Sequence, residues 1–139
     1  MEIKSNVALD LWDKLSFTYD TLQKAHSRRM YVNNLTAPQF HVLQVLLKEG
    51  AMPLKRISEH LLVTGANITC VVDNLEKEDL VRRVPSKKDR RVINAELTGK
   101  GEEKVRKLFP QYSKGFNDSF SKLTKDDKKQ LVKILDKIA

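Results

Sequence analysis

The stretch VRRVPSKKDRRVINAELTGKG, positions 81–101 of a 139-residue sequence, gathers the residues best suited to chemistry. Seven cations (Arg82, Arg83, Lys87, Lys88, Arg90, Arg91 and Lys100) surround two acids, Asp89 and Glu96. Crowded like charges repel, and an edge ribbon needs only one or two charges to deter stray strand pairing. The run Lys87, Lys88, Asp89, Arg90, Arg91 therefore points to a polyanion as partner. Each cation that meets a nucleic-acid phosphate releases a condensed counterion. An arginine at the tip of such a ribbon can also enter a narrow minor groove, where the potential is most negative. Asp89 then has a use, because a carboxylate can accept hydrogen bonds from a nearby guanidinium and fix its direction. The bland alternative is a solvated edge ribbon.

The elements that must place these charges are legible. Residues 81–84 and 91–97 read as two strands, with 86–90 as the loop and Pro85 breaking the first strand. Ile93, Ala95 and Leu97 alternate with Val92, Asn94 and Glu96, which predicts that the first three anchor the ribbon to a core. Before the ribbon stand two short helices. Residues 54–62 place Leu54, Ile57 and Leu61 at helical spacing, and a turn follows at 62–64. Thr64 is placed to cap the next helix, about 65–78, with Val63 and Ile68 as its staple. That helix buries Ile68, Val71, Val72 and Leu75 and turns Ala66, Cys70, Asp73 and Lys77 outward. Its first turn (Thr64, Gly65, Ala66, Asn67, Thr69) is small and polar enough to seat deeply in a major groove. Asn67 can pair with adenine, and threonine methyls can touch thymine methyls. Lys55 and Arg56, at the start of the preceding helix, can hold phosphates. Each of these helical features alone also fits an ordinary solvated helix start.

Longer helices flank this unit. Residues 7–31 carry two adjacent apolar stripes, wider together than one core-facing seam requires. Thr36 and Gln39 form a capping box, Leu35 and Phe40 a hydrophobic staple, and Gly50 ends the helix they open. After Thr98 the spacing of Val105, Leu108, Phe109, Tyr112, Phe116 and Phe120 predicts a helix that Pro110 should kink or split. Thr124 caps a last helix with Leu131, Ile134, Leu135 and Ile138. The expected fold is therefore mainly α (α+β): two helices and a two-stranded β-wing forming a winged helix-turn-helix. The helix 65–78 is its reading element.

Composition agrees. The formal charge is +8, with 40% apolar and 32% charged residues, which describes one ordinary globular domain with an unusual affinity for anions. A single cysteine excludes an internal disulfide framework and suggests a reducing compartment. The first residues have no apolar targeting core, and no run approaches the roughly 20 apolar residues that span a bilayer. These features predict a cytoplasmic protein with no membrane role. No Gly-rich phosphate loop, metal-ligand cluster or nucleophile–base pair stands in recognisable context, so neither an enzyme nor a cofactor is expected.

The stretches LTAPQFHVLQVL, GANITCVVDNLEKEDLVRRV and KKDRRVINAELTGKG, in this order, resemble the MarR family of bacterial transcription regulators (multiple antibiotic resistance regulators). With the flanking helices the likeness covers nearly the whole chain. It implies a homodimer in which residues 1–33 and 99–139 supply the dimerisation helices and residues 36–98 the winged helix-turn-helix. It implies a pseudo-palindromic double-stranded DNA operator, and repression relieved by a small-molecule inducer. It also implies that Asp89 pairs with Arg91, that Arg91 enters the minor groove, and that Arg90 meets phosphate. The chain departs from the family where Cys70 stands at a position often basic.

Several sensing devices are conceivable from the residues. Trp12, Tyr19, Phe40, His41 and Tyr112 are candidates for a pocket between the two parts, against the plainer reading as core aromatics. Cys70 faces the groove side, where oxidation would block docking; the alternative is a small apolar contact. His26, His41 and His60 lack metal-ligand spacing, so no metal is expected; each reads as a satisfied surface or interface residue. A winged-helix module that binds protein or structured RNA is the competing class.

Overall fold

In the computed structural model, which describes residues 6–32, 34–61 and 65–139, six helices and a small antiparallel sheet alternate along the chain. Helix α1 (Val7–Val32) precedes α2 (Ala37–Glu49), whose start follows from its cap. The Gln39 N–H donates to Thr36 Oγ1 at 3.3 Å and the Thr36 N–H to Gln39 Oε1 at 2.9 Å, so two orphan donors are satisfied reciprocally. Leu35 and Phe40 are both buried, as a staple requires. Gly50 closes the helix at φ 85°, a left-handed conformation, with its N–H returning to Leu46 O at 2.9 Å.

That turn delivers a strand the sequence pattern did not suggest. Strand β1 (Met52–Pro53) pairs antiparallel with the second wing strand, Met52 opposite Ala95 and Pro53 opposite Asn94. The chain then forms α3 (Leu54–Leu61), α4 (Gly65–Lys77), β2 (Val81–Pro85) and β3 (Ile93–Leu97). The expected two-stranded wing is thus part of a three-stranded sheet ordered β1-β3-β2. Pro85 does not break β2 but is its last paired residue, opposite Ile93. This is permitted because β2 lies at the edge of the sheet, where a missing N–H costs no ladder bond. The expected cap at Thr64 and staple residue Val63 lie outside the described residues.

One core joins these elements. Phe40 and Leu43 from α2, Ile57 from α3, Ile68, Val72 and Leu75 from α4, Val81 and Ala95 from the sheet, and Val105 and Leu108 from the next helix pack together. Burying each large side chain contributes on the order of 1.5–3 kcal/mol against conformational entropy. Ala95 and Leu97 anchor the ribbon as expected, but Ile93 does not: it is 42% exposed. Alternation assigns it to the inner face, yet it sits at the distal end of the ribbon, beyond the reach of the core.

Helix α5 (Gly99–Ser119) is fastened to the base of the wing. Thr98 Oγ1 accepts from the Gly101 N–H at 3.0 Å and donates to Asp79 O at 2.6 Å, while the Thr98 N–H donates to Leu80 O at 3.1 Å. Gly101 packs so closely on this turn that a Cβ there would lie 1.9 Å from the Leu80 carbonyl oxygen. Pro110 does not split α5, which runs through it unbroken. Its face is exposed, so water can satisfy the freed carbonyl. Buried Val105 and Leu108 before it and the packed Tyr112 after it hold both halves in place. Helix α6 (Lys125–Asp136) starts at a Thr124 capping box and buries no residue. Leu131, Val132, Ile134 and Leu135 of α6, and Val7, Leu11, Trp12 and Phe17 of α1, are all exposed. Among the described residues no helix is long and apolar enough to cross a membrane.

Candidate nucleic-acid interface

Helices α3 and α4 pack side by side, and the wing follows directly from the turn after α4. Ile68, Val71, Val72 and Leu75 are buried on the inner face of α4. Asn67, Thr69, Cys70, Asp73, Asn74 and Lys77 are exposed on its other faces. Gly65 and Ala66 form the opening of the helix, and Thr64 lies outside the described residues. Lys55 and Arg56 are exposed in the first turn of α3, where Ser58 Oγ donates back to Lys55 O at 2.6 Å. The Asn74 side-chain amide donates to the Sγ of the exposed Cys70 at 4.0 Å.

At the wing tip the loop is closed by its own backbone: the Ser86 N–H donates to Val92 O at 2.8 Å and the Val92 N–H to Asp89 O at 2.9 Å. Asp89 accepts from Arg91 three times: from the backbone N–H at 3.1 Å, from Nε at 3.1 Å, and from Nη2 to the other carboxylate oxygen at 3.2 Å. The side-chain bonds to Arg91, then its backbone N–H, hold the Asp89 carboxyl below its ordinary pKa. Despite this grip the Arg91 side chain is 91% exposed. The guanidinium is aimed rather than covered. Lys87, Lys88 and Arg90 are exposed beside it, and none of the three forms an ion pair among the described residues.

The other cations of the stretch have different employment. Arg82 pairs with Glu96, its directly opposite partner across the β2–β3 ladder. Lys100 Nζ donates to Glu78 O at 3.0 Å, just past the C-terminal end of α4. Arg83 reaches α4 itself: Nη2 meets Asp73 Oδ1 at 2.6 Å, Nη1 meets Glu76 Oε1 at 3.0 Å, and its backbone N–H donates to Glu76 Oε2 at 3.1 Å. Partial burial works against the Arg83 charge, but the bonds and charges of Asp73 and Glu76 outweigh it and raise its pKa above the ordinary arginine value. The sequence pattern placed Arg82 and Arg83 in the first strand, among the seven cations, and indicated no partner for either. The ten-residue separation of Arg83 from Asp73, across two different elements, carries no local pattern.

A second feature lies where α1, α2 and α5 meet. A hollow of about 300 Å³ is lined by Tyr19, Leu22 and His26 of α1, His41 of α2, and Tyr112 and Phe116 of α5, among others. Of the five aromatic candidates, Tyr19, His41 and Tyr112 line it. Phe40 does not; it is fully buried in the core behind Tyr112, the ring centroids 4.5 Å apart. Trp12 does not either; it borders a second hollow with Leu15 and Tyr19. His26, buried and stacked on Phe116 at 3.6 Å, was missed as a lining residue because it was read as a surface or interface histidine. Tyr112 Oη lies 3.4 Å from His41 Nε2. Desolvation lowers the His41 pKa and raises that of Tyr112, so both favour their uncharged forms near neutral pH.

Residues 35–93 match the model of the MarR family. The HTH-type transcriptional regulator MhqR of Bacillus subtilis is 29% identical over 94% of this chain and 90% of its own length. The HTH-type transcriptional repressor MdtR of the same organism is 27% identical over 100% of this chain and 90% of its own. Among solved structures, AbsC of Streptomyces coelicolor, a MarR family transcriptional regulator, superposes with a TM-score of 0.88 at 22% identity. The match covers 99% of this chain and 95% of AbsC.

Proposed function

The chain belongs to the MarR family of DNA-binding transcriptional regulators, and from that premise we propose that it is a homodimeric repressor released from its operator by a small ligand. The observation that carries the DNA-facing half of this reading is the Asp89–Arg91 pair, a charged group held in one direction yet left open to solvent. A guanidinium so prepared loses little freedom on entering a minor groove. In this reading the start of α4 (Gly65, Ala66, Asn67, Thr69 and Cys70), with Thr64 before it in the sequence, meets base edges in the major groove. Lys55, Arg56, Lys87, Lys88 and Arg90 meet phosphates.

The exposed apolar residues of α1 and α6 support a second copy as partner. Scattered apolar side chains on a monomer need no explanation, but two helices carrying them together do. A dimer places two α4 helices in successive major grooves about 34 Å apart, which calls for a pseudo-palindromic site. The same spacing argues against an interchain disulfide through Cys70, which needs Cα atoms within about 7 Å. The name of MdtR supports repression. The hollow lined by Tyr19, His41 and Tyr112 adjoins both α2 of the winged unit and α1 of the flanking helices, so a planar apolar ligand there would act on both.

The test is to select bound fragments from genomic DNA, footprint them, and follow binding against salt. Two half-sites about one turn apart, with affinity falling steeply as salt rises, are expected. Binding without preference among fragments would overturn the reading in favour of a module for protein or RNA. Screening aromatic compounds for release from the selected fragment then tests the ligand.

A further inference from the structure

Asp73 is an odd residue for a helix that faces DNA. It is exposed on α4, one turn after Thr69 and one turn before Lys77, on the side shared with the base-reading positions proposed above. Glu76 follows three residues on, also exposed and bonded to Arg83 of the wing. Two bare carboxylates there would repel the phosphates that the neighbouring cations attract, and at low salt that repulsion extends well beyond contact distance. Arg83 answers both. It spans them with separate nitrogens, Nη2 to Asp73 and Nη1 to Glu76, and its own backbone N–H holds the second oxygen of Glu76. Its side chain is only 26% exposed, against 91% for Arg91. A cation so enclosed is spent on its acids rather than offered to a ligand.

We propose that Arg83 is a positioning residue for DNA binding: it masks the acidic flank of α4 and makes no phosphate contact of its own. The inference rests on the reading that α4 and the wing form the DNA interface. Its experiment measures dissociation constants and salt slopes on a selected operator fragment and on a mixed-sequence duplex of the same length. The proteins compared are the full-length wild type, Arg83→Ala, Asp73→Asn, and the triple variant Arg83→Ala/Asp73→Asn/Glu76→Gln. Removing the arginine alone exposes two acids and should weaken binding about tenfold, the scale of a lost charged contact. The triple variant has nothing left to mask and should return to within about threefold of wild type with an unchanged salt slope, because no phosphate contact is lost. Asp73→Asn, which keeps Arg83 and its bonds to Glu76, should bind as well as wild type or better; it serves even where Arg83→Ala folds poorly.

A triple variant as weak as Arg83→Ala, with a slope shallower by about one ion, would make Arg83 a phosphate contact and overturn the proposal. Weaker binding by Asp73→Asn would overturn it too. Arg91→Ala on the same duplexes separates the two failures. If Arg91→Ala binds like wild type, the interface reading itself is wrong; if it binds poorly while the triple variant stays weak, only the masking is refuted.

Discussion

At the base of the wing, Arg83 meets two acids from another helix, and Gly101 brings α5 against the Leu80 carbonyl. At the tip, Arg91 meets one acid two residues away in its own loop, and among the described residues no side chain of another element forms an ion pair with either partner. Both ends use the same pair of residue types. The base joins distant parts of the chain and hides its arginine. The tip stiffens a short loop and leaves its arginine in water. An ion pair therefore says little by itself; what the acid does depends on whether it covers the cation or only steers it.

Breaking each end should give different symptoms. The largest effect is expected at the base. Gly101→Ala puts a Cβ into the Leu80 carbonyl, a backbone group that cannot swing aside, and overpacking of this kind costs about 3 kcal/mol. Thermal denaturation should show a clearly lower midpoint; an unchanged midpoint would mean that α5 is not pinned to the wing. Next comes the tip. Arg91→Ala should leave the melting curve alone but weaken operator binding by about 1–3 kcal/mol in a gel-shift titration, whereas Lys100→Ala, whose amine is held by Glu78 O, should change it little. Equal losses from the two substitutions would erase the contrast between aimed and engaged cations. The smallest effect is a titration. The Asp89 carboxyl, followed by NMR, should keep its charge as pH falls to the ordinary carboxylate range near 3.9 and protonate only below it. In Arg91→Ala it should return to that range. An ordinary value in the wild type would mean that the tip pair does not persist in solution.

Much of this was written locally in the sequence. Thr36 and Gln39 announced a helix start, Thr124 announced another, and the structure has both caps. That Asp89 would meet a nearby guanidinium was legible in the charge cluster; its pairing with Arg91 was implied by the family resemblance, and the structure has that pair within one loop. What depended on distant partners was not. Two residues, Met52 and Pro53, carry no strand pattern, and they become β1 only because β3 offers them an edge. Ile93 kept the correct phase, but a period of two gives the face of a ribbon and not its depth in the core. Pro110 signalled a kink or a split by local rules, and packing on both sides overrode the split. Among the pocket candidates, aromatic type did not separate Phe40, sealed in the core, from Tyr112, which borders the hollow. His26 was misjudged for a similar reason, since burial comes from what α5 lays across it.

The order β1-β3-β2 puts both prolines of the sheet, Pro53 and Pro85, on its outer strands and leaves the central strand without one. Proline has no N–H to offer an incoming strand, and β1 is only two residues long. The ribbon that carries the charge cluster is therefore poorly suited to growing by another strand. For a protein whose copies would be gathered at high local concentration along one polymer, a sheet with two blunted margins is a safeguard against adhesion between neighbours.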